Sequence, residues 1–133
     1  MIQRPPQIGQ ILICDFEGLK EPEMVKRRPV IALTGIDSHG RGCQLVTIVP
    51  ISTTPPEEVM PYHYFIRNLP IMQGYEKREA WVKCDMVYTM SFRRLNLPRA
   101  GKNEGGRRNY AYVRISSDDL EHIRECVRQA LYL

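Results

Sequence analysis

The sequence predicts a small, mainly β domain: a partly open barrel with one C-terminal helix. Two observations point there. Short apolar runs recur along the chain, separated by Gly-, Pro- and Asp-bearing connections, which is the pattern of successive strands and turns. Helical spacing is clearest at the end, where Leu120, Ile123, Val127, Ala130 and Leu131 form one stripe. The chain has 133 residues, 43% hydrophobic and 26% charged, which suits one globular domain with a sizeable core.

Residues 1–7, with Pro5-Pro6, are expected to be a flexible arm. Gly9-Gln10 opens a first strand over Ile11 to Phe16, too apolar for simple alternation and so buried on both faces. Residues 17–27 form a charged loop, in which Pro22 argues against a helix. A second strand runs from Arg28 to Thr34, residues 35–42 make a hairpin connection, and a third strand covers Cys43 to Ile51. The loop 52–61 is stiffened by Pro55-Pro56. An aromatic strand, Tyr62 to Ile66, follows, then a loop and a fifth strand, Ala80 to Thr89. Arg93-Arg94-Leu95 begins a turn. Residues 96–109 carry three glycines and five charges and read as a flexible basic loop. A last strand, Tyr110 to Ile115, precedes the helix, which Ser116 or Ser117 caps and Asp118, Asp119 and Glu121 favour through the helix dipole.

The net charge of +4 favours acidic partners, nucleic acid first among them. The cysteines Cys14, Cys43, Cys84 and Cys126 form no Cys-x-x-Cys pair and have no His at zinc-ligand spacing. They are expected to be reduced thiols of a cytoplasmic protein. Met1 to Gln10 has no apolar signal core, and no run approaches membrane-spanning length.

Five positions can carry chemistry. Arg28 precedes Pro29, which holds it extended at a strand start. Its guanidinium can fork onto phosphate oxygens, or pair with Glu21 or Glu23. Ser52 and Thr53 follow a buried strand and either donate to a phosphate or cap a turn. Lys83 and Asp85, two apart on one strand beside Trp81, share a face. They form an ion pair or an acid–base pair. His39 and His122 read as solvated; His63, in the aromatic strand, reads as surface or half-buried, within reach of the site. No two-histidine arrangement and no metal cluster is visible, so no cofactor is expected.

The order of these pieces resembles a family. Gly9-x-Ile11-Leu12-Ile13-Cys14-Asp15-Phe16, Glu23, Arg28-Pro29-Val30-Ile31-Ala32-Leu33 and Val49-Pro50-Ile51-Ser52-Thr53 are similar to the MazF/PemK (Kid) toxins of type II toxin–antitoxin systems. Trp81-Val82-Lys83-Cys84-Asp85, Thr89-x-Ser91 and Arg94-Leu95 extend the likeness over roughly residues 8–133.

The resemblance implies an SH3-like barrel of the CcdB/MazF/Kid type, usually a homodimer. It also implies metal-independent cleavage of single-stranded RNA to a cyclic phosphate and a 5′-hydroxyl. An antitoxin with an acidic disordered tail would inhibit the site, and the pair would bind DNA. Residue by residue, Arg28 would bind the scissile phosphate, Ser52 would be the catalytic hydroxyl, and Asp85 the general base. Lys83 stands where Kid-like members carry an arginine, and lacks the fork of a guanidinium. Glu23, Arg27, Thr53 and Trp81 would complete the substrate contacts. Two rival readings fit the same fold class. One is a CcdB-like toxin that poisons gyrase by protein contact. The other is an inactive RNA-binding barrel using residues 96–109.

Overall fold

A computed structural model describes residues 1–37, 43–102, 105–106 and 108–133. Its strands are β1 (Ile11–Asp15), β2 (Arg27–Ala32), β3 (Leu45–Ser52), β4 (His63–Ile66), β5 (Ala80–Lys83), β6 (Tyr88–Ser91), β7 (Leu95–Asn96), β8 (Arg99–Lys102) and β9 (Arg108–Tyr110). A single 3-10 turn, Phe92–Arg94, separates β6 from β7, and the helix α1 covers Ser117–Leu131. Among the described residues, seven strands form one antiparallel sheet in the order β4-β5-β3-β2-β1-β7, with β6 also on β3. β8 and β9 form a separate hairpin.

Alternation along the central strands builds two cores. Leu12, Cys14, Phe16, Val30, Ala32, Val46 and Ile48 pack on one face. Ile11, Ile31, Val49, Ile51 and Val82 pack on the other, with Ile123 of α1. β1 is therefore buried on both sides, as its unbroken apolar run predicts. The Cys14 thiol has no polar work in this core, and burial pushes it up to about 12.

β3 is the longest strand and has two partners on one edge. Its first half pairs with β6 (Leu45↔Ser91 to Ile48↔Tyr88) and its end with β5 (Ile51↔Val82, Ser52↔Trp81). From Val82 to Tyr88 the chain takes six steps while β3 takes three, Ile51 to Ile48. The fifth strand expected over 80–89 is thus two strands, broken by a bulge that contains Cys84, Asp85, Met86 and Val87. A bulge is invisible to a period-2 reading because the residues on both sides of it keep strand composition.

Three other expectations change. The stretch 96–109 contains β7's last residue and the β8–β9 hairpin rather than one basic loop. Asn103, Glu104 and Arg107 of that stretch lie outside the described residues, as do His39 and the rest of 38–42. The last strand expected over 110–115 reduces to a sparse edge contact. There Ile11 N–H donates to Val113 O at 2.9 Å and Ile115 N–H to Gly9 O at 3.0 Å. The N-terminal residues, expected as an arm, lie against the body: Ile2 is buried, and its N–H donates to Leu95 O at 2.8 Å.

Gly35 lies beneath that N-terminal segment. A Cβ there would sit 2.4 Å from Pro6 O and 2.8 Å from Ile8 N, both backbone atoms that cannot step aside. Gly35→Ala is expected to cost about 1–3 kcal/mol of stability, the range for overpacking a tight contact. Urea unfolding checks this, and an unchanged midpoint would refute the close approach.

Ser116 is the helix cap: its Oγ accepts from Asp119 N–H at 3.1 Å. α1 docks through Ile123, with Cys126 and Val127 half-buried beside it, but Leu131 is exposed. The predicted stripe therefore runs one turn past the surface it covers. No helix among the described residues is long and apolar enough to cross a membrane.

Candidate active site

The antiparallel registers bring four strand termini to one edge of the sheet: the start of β2, the end of β3, the start of β5 and the end of β4. Ser52 lies opposite Trp81, and Trp81 opposite Phe65. On the other side of β3, Val30 pairs with Pro50, so the same register carries Arg28 level with Ser52. Arg28, Ser52, Trp81 and Phe65 form one row across four strands, and pleating puts their side chains on one face. One row deeper, Lys83 lies opposite His63 and beside Pro50. Strand ends hold side chains rigidly where loops admit a ligand, which makes this edge a natural site.

Arg28 is half-buried, and its Nε donates to Val25 O at 3.2 Å. It pairs with no carboxylate among the described residues, so the Glu21 and Glu23 pairings do not form. Four of its five N–H donors remain for an anion. Ser52 is buried and accepts from Thr54 N–H at 3.1 Å. It does close a turn, yet its own O–H is left as a donor. Thr53 is exposed at the rim.

A groove of about 370 Å³ runs beside Arg28, Thr53, Tyr75 and Lys77. A shallower one of about 540 Å³ continues past Thr53 and Lys77 to Trp81 and Phe65. The Phe65 and Trp81 rings lie 5.0 Å apart at a tilt of 55°, and the Arg67 guanidinium sits 5.4 Å above Phe65. Arg28, Lys77, Arg78, Phe65 and Trp81 line this edge together with the acidic Glu76 and Glu79, and the cations and rings suit a single-stranded, stacked polyanion.

Asp85 is not on the strand that carries Lys83 but in the bulge beyond it, and its side chain is 41% exposed. Lys83 and Asp85 make no ion pair with each other. Asp85 turns instead toward His63, with Oδ1 3.9 Å from Nε2. Its neighbour Cys84 points into the core, and burial keeps that thiol protonated, so it is no nucleophile. Among the described residues no group of three His, Cys, Asp or Glu side chains is placed to hold a metal ion.

Two predicted contacts lie apart from this edge. Alternation turns Arg27 to the opposite face from Arg28, and its Nη2 is 3.7 Å from Asp15 Oδ2. Glu23 is exposed in the β1–β2 loop, where its Oε1 accepts from Lys20 N–H at 3.2 Å. That loop is tied over the sheet from both ends. Arg94 Nη1 donates to Asp15 O at 3.0 Å and to Glu17 O at 2.7 Å, and Met24 N–H donates to Tyr88 Oη at 2.9 Å.

Tyr64, between His63 and Phe65 on β4, is turned away from this edge. Its OH donates to Asp119 at 2.5 Å and its ring stacks on His122. Arg67 and Lys77 were not expected at the site. The alternation His63, Phe65 against Tyr64, Ile66 carried the information for His63, but only the pairing with β5 says which face is which.

A family model described as the PemK-like, MazF-like toxin of type II toxin–antitoxin systems matches residues 7–131. The chain is 31% identical to YifN, an uncharacterized protein of Escherichia coli (strain K12), over 71% of this chain and 74% of that one. In fold it is similar to MazF (Form-I) from Deinococcus radiodurans, with a TM-score of 0.66, 18% identity and coverage of 98% and 100% of the two chains. It is also similar to a mycobacterial endoribonuclease solved in complex with its cognate antitoxin, with a TM-score of 0.64, 17% identity and 96% of each chain covered.

Proposed function

This chain belongs to the PemK-like, MazF-like toxin family of type II toxin–antitoxin systems, and on that premise we propose that it is an endoribonuclease acting on single-stranded RNA. The observation that carries the reading is the row Arg28, Ser52, Trp81, Phe65 at the strand ends. Such a row offers a phosphate fork, a hydroxyl donor and two stacking rings in line.

In this mechanism RNA lies along the grooves with bases against Trp81 and Phe65. Asp85 takes the proton of a ribose 2′-hydroxyl. The 2′-oxygen attacks the adjacent phosphorus, and the bond from phosphorus to the 5′-oxygen breaks. Arg28 and Ser52 donate to the non-bridging oxygens, where negative charge grows in the transition state. Lys83 delivers a proton to the leaving 5′-oxygen. The products are a 2′,3′-cyclic phosphate and a 5′-hydroxyl, and no metal takes part. Thr53 contacts the backbone at the rim. An antitoxin with an acidic segment would cover the same edge through Arg28, Lys77 and Arg78, and the chain would work as a homodimer.

The test is digestion of synthetic and total RNA in excess EDTA, with analysis of the new ends. Wild type is expected to leave cyclic phosphate and 5′-hydroxyl ends. Asp85→Asn should cut about 100- to 10,000-fold more slowly, the range for loss of a general base. RNA left intact across every sequence tested would sink the enzymatic reading and favour plain binding. Cleavage that survives Asp85→Asn would reassign the base.

A further inference from the structure

His63 is almost enclosed, with only 8% of its side chain exposed, and each ring nitrogen faces a different partner. On one side the backbone N–H of Met60 points at Nδ1 at 3.0 Å. On the other, Nε2 faces Asp85 Oδ1 at 3.9 Å. A neutral imidazole has one donor and one acceptor nitrogen. A backbone amide can only donate, so Nδ1 accepts and the ring proton sits on Nε2, on the side of Asp85. The backbone thereby selects the tautomer, as outer-shell partners do for functional histidines. Two further groups confine the ring: Tyr62, edge-on with centroids 4.7 Å apart, and Lys83, its cross-strand partner.

Asp85 needs such a support. It stands on a bulge of irregular backbone, held locally by Met86 N–H donating to Lys83 O at 3.0 Å. A carboxylate on a bulge has more freedom than one on a strand, and displacement of a catalytic group by about 1 Å can cost roughly 100-fold in rate.

We propose that His63 is a positioning residue: its Nε2–H, aimed by the Met60 amide, holds the Asp85 carboxylate in place on the bulge. The separation of 3.9 Å is too long for a direct hydrogen bond, so the contact closes by a bridging water or a small rotation of Asp85. Catalytic hydrogen bonds are often long before substrate binds and shorten in the complex. This inference rests on Asp85 being the base, and the experiment separates the two.

Two variants split the ring's functions. His63→Asn keeps an acceptor near Nδ1 for Met60 but has nothing at Nε2. His63→Gln places a donor amide near Nε2. Cleavage of an RNA oligonucleotide bearing the preferred sequence is followed in both, with hydrogen exchange of the Met86 amide as a readout independent of activity. His63→Asn is expected to lower kcat about 10- to 100-fold with KM nearly unchanged, and to speed exchange at Met86. His63→Gln is expected to restore most of both, while thermal midpoints of the two variants stay close.

Wild-type kcat and exchange in His63→Asn would overturn the proposal, as would equal damage in both variants. If Asp85→Asn proves fully active, the reading of Asp85 as base fails by itself. Exchange at Met86 in the two His63 variants then still decides whether His63 holds the bulge.

Discussion

Replacing Arg28 with alanine is expected to lower kcat/KM for RNA cleavage by about 100- to 1000-fold and to leave the protein folded. The size follows from removing a pre-aimed donor to charge that develops in the transition state. Arg28 suits this role because Pro29 keeps its backbone extended, the ladder on β3 places it level with Ser52, and Val25 O anchors its Nε at 3.2 Å. The fold should survive because the side chain is only half-buried and makes one hydrogen bond, so its loss leaves no unpaired buried charge. Arg28→Lys should recover part of the rate, since an ammonium keeps the charge but not the fork. Steady-state cleavage together with a thermal melt checks both halves. Activity within about threefold of wild type would remove Arg28 from the site, because electrostatic groups at a phosphoryl centre cost far more than that when deleted.

The second large effect is on stability. Phe16→Ala is expected to destabilise the protein by about 3–5 kcal/mol, the range for deleting a buried aromatic. Phe16 is fully buried just past β1, and its ring packs on Tyr88 at 5.3 Å with a tilt of 57°. Such aromatic pairs add about 0.5–1.5 kcal/mol to the burial alone. The consequence reaches function, because Tyr88 Oη also accepts from Met24 N–H and so ties the β1–β2 loop beside Arg28. A cavity at Phe16 frees Tyr88 and loosens that loop. Urea denaturation is the measurement, and a loss below about 1.5 kcal/mol would mean that the core collapses to fill the space.

The two residues differ in how they could be read. Phe16 ends a run of apolar residues, and burial on both faces follows from that run without any knowledge of partners. Arg28 and Arg27 look alike in sequence, and a period of two puts them on opposite faces, but which face meets the substrate depends on β3 and β5. The same holds for β4. Tyr64 and Phe65 are adjacent aromatics with nothing local to tell them apart, and the register with β5 sends one to the helix and the other to the groove. Lys83 and Asp85 read as a same-face pair because nothing in Trp81-Val82-Lys83-Cys84-Asp85-Met86-Val87-Tyr88 breaks strand composition. The break is a mismatch in length against β3, six steps against three, and a mismatch exists only between two strands.

By itself, then, the sequence determined the class of fold, the terminal helix with a serine cap at 116 or 117, the two-sided burial of β1, and the family. Each of these rests on local periodicity, capping chemistry or the order of short motifs along the chain. Only the tertiary structure decided that Arg28, Ser52, Trp81 and Phe65 share a row, that Asp85 projects from a bulge toward His63, and that Arg27 and Glu23 stand apart. These are relations between strands far apart in sequence. Hydrogen-bond register across the sheet sets them, and no local pattern encodes that register.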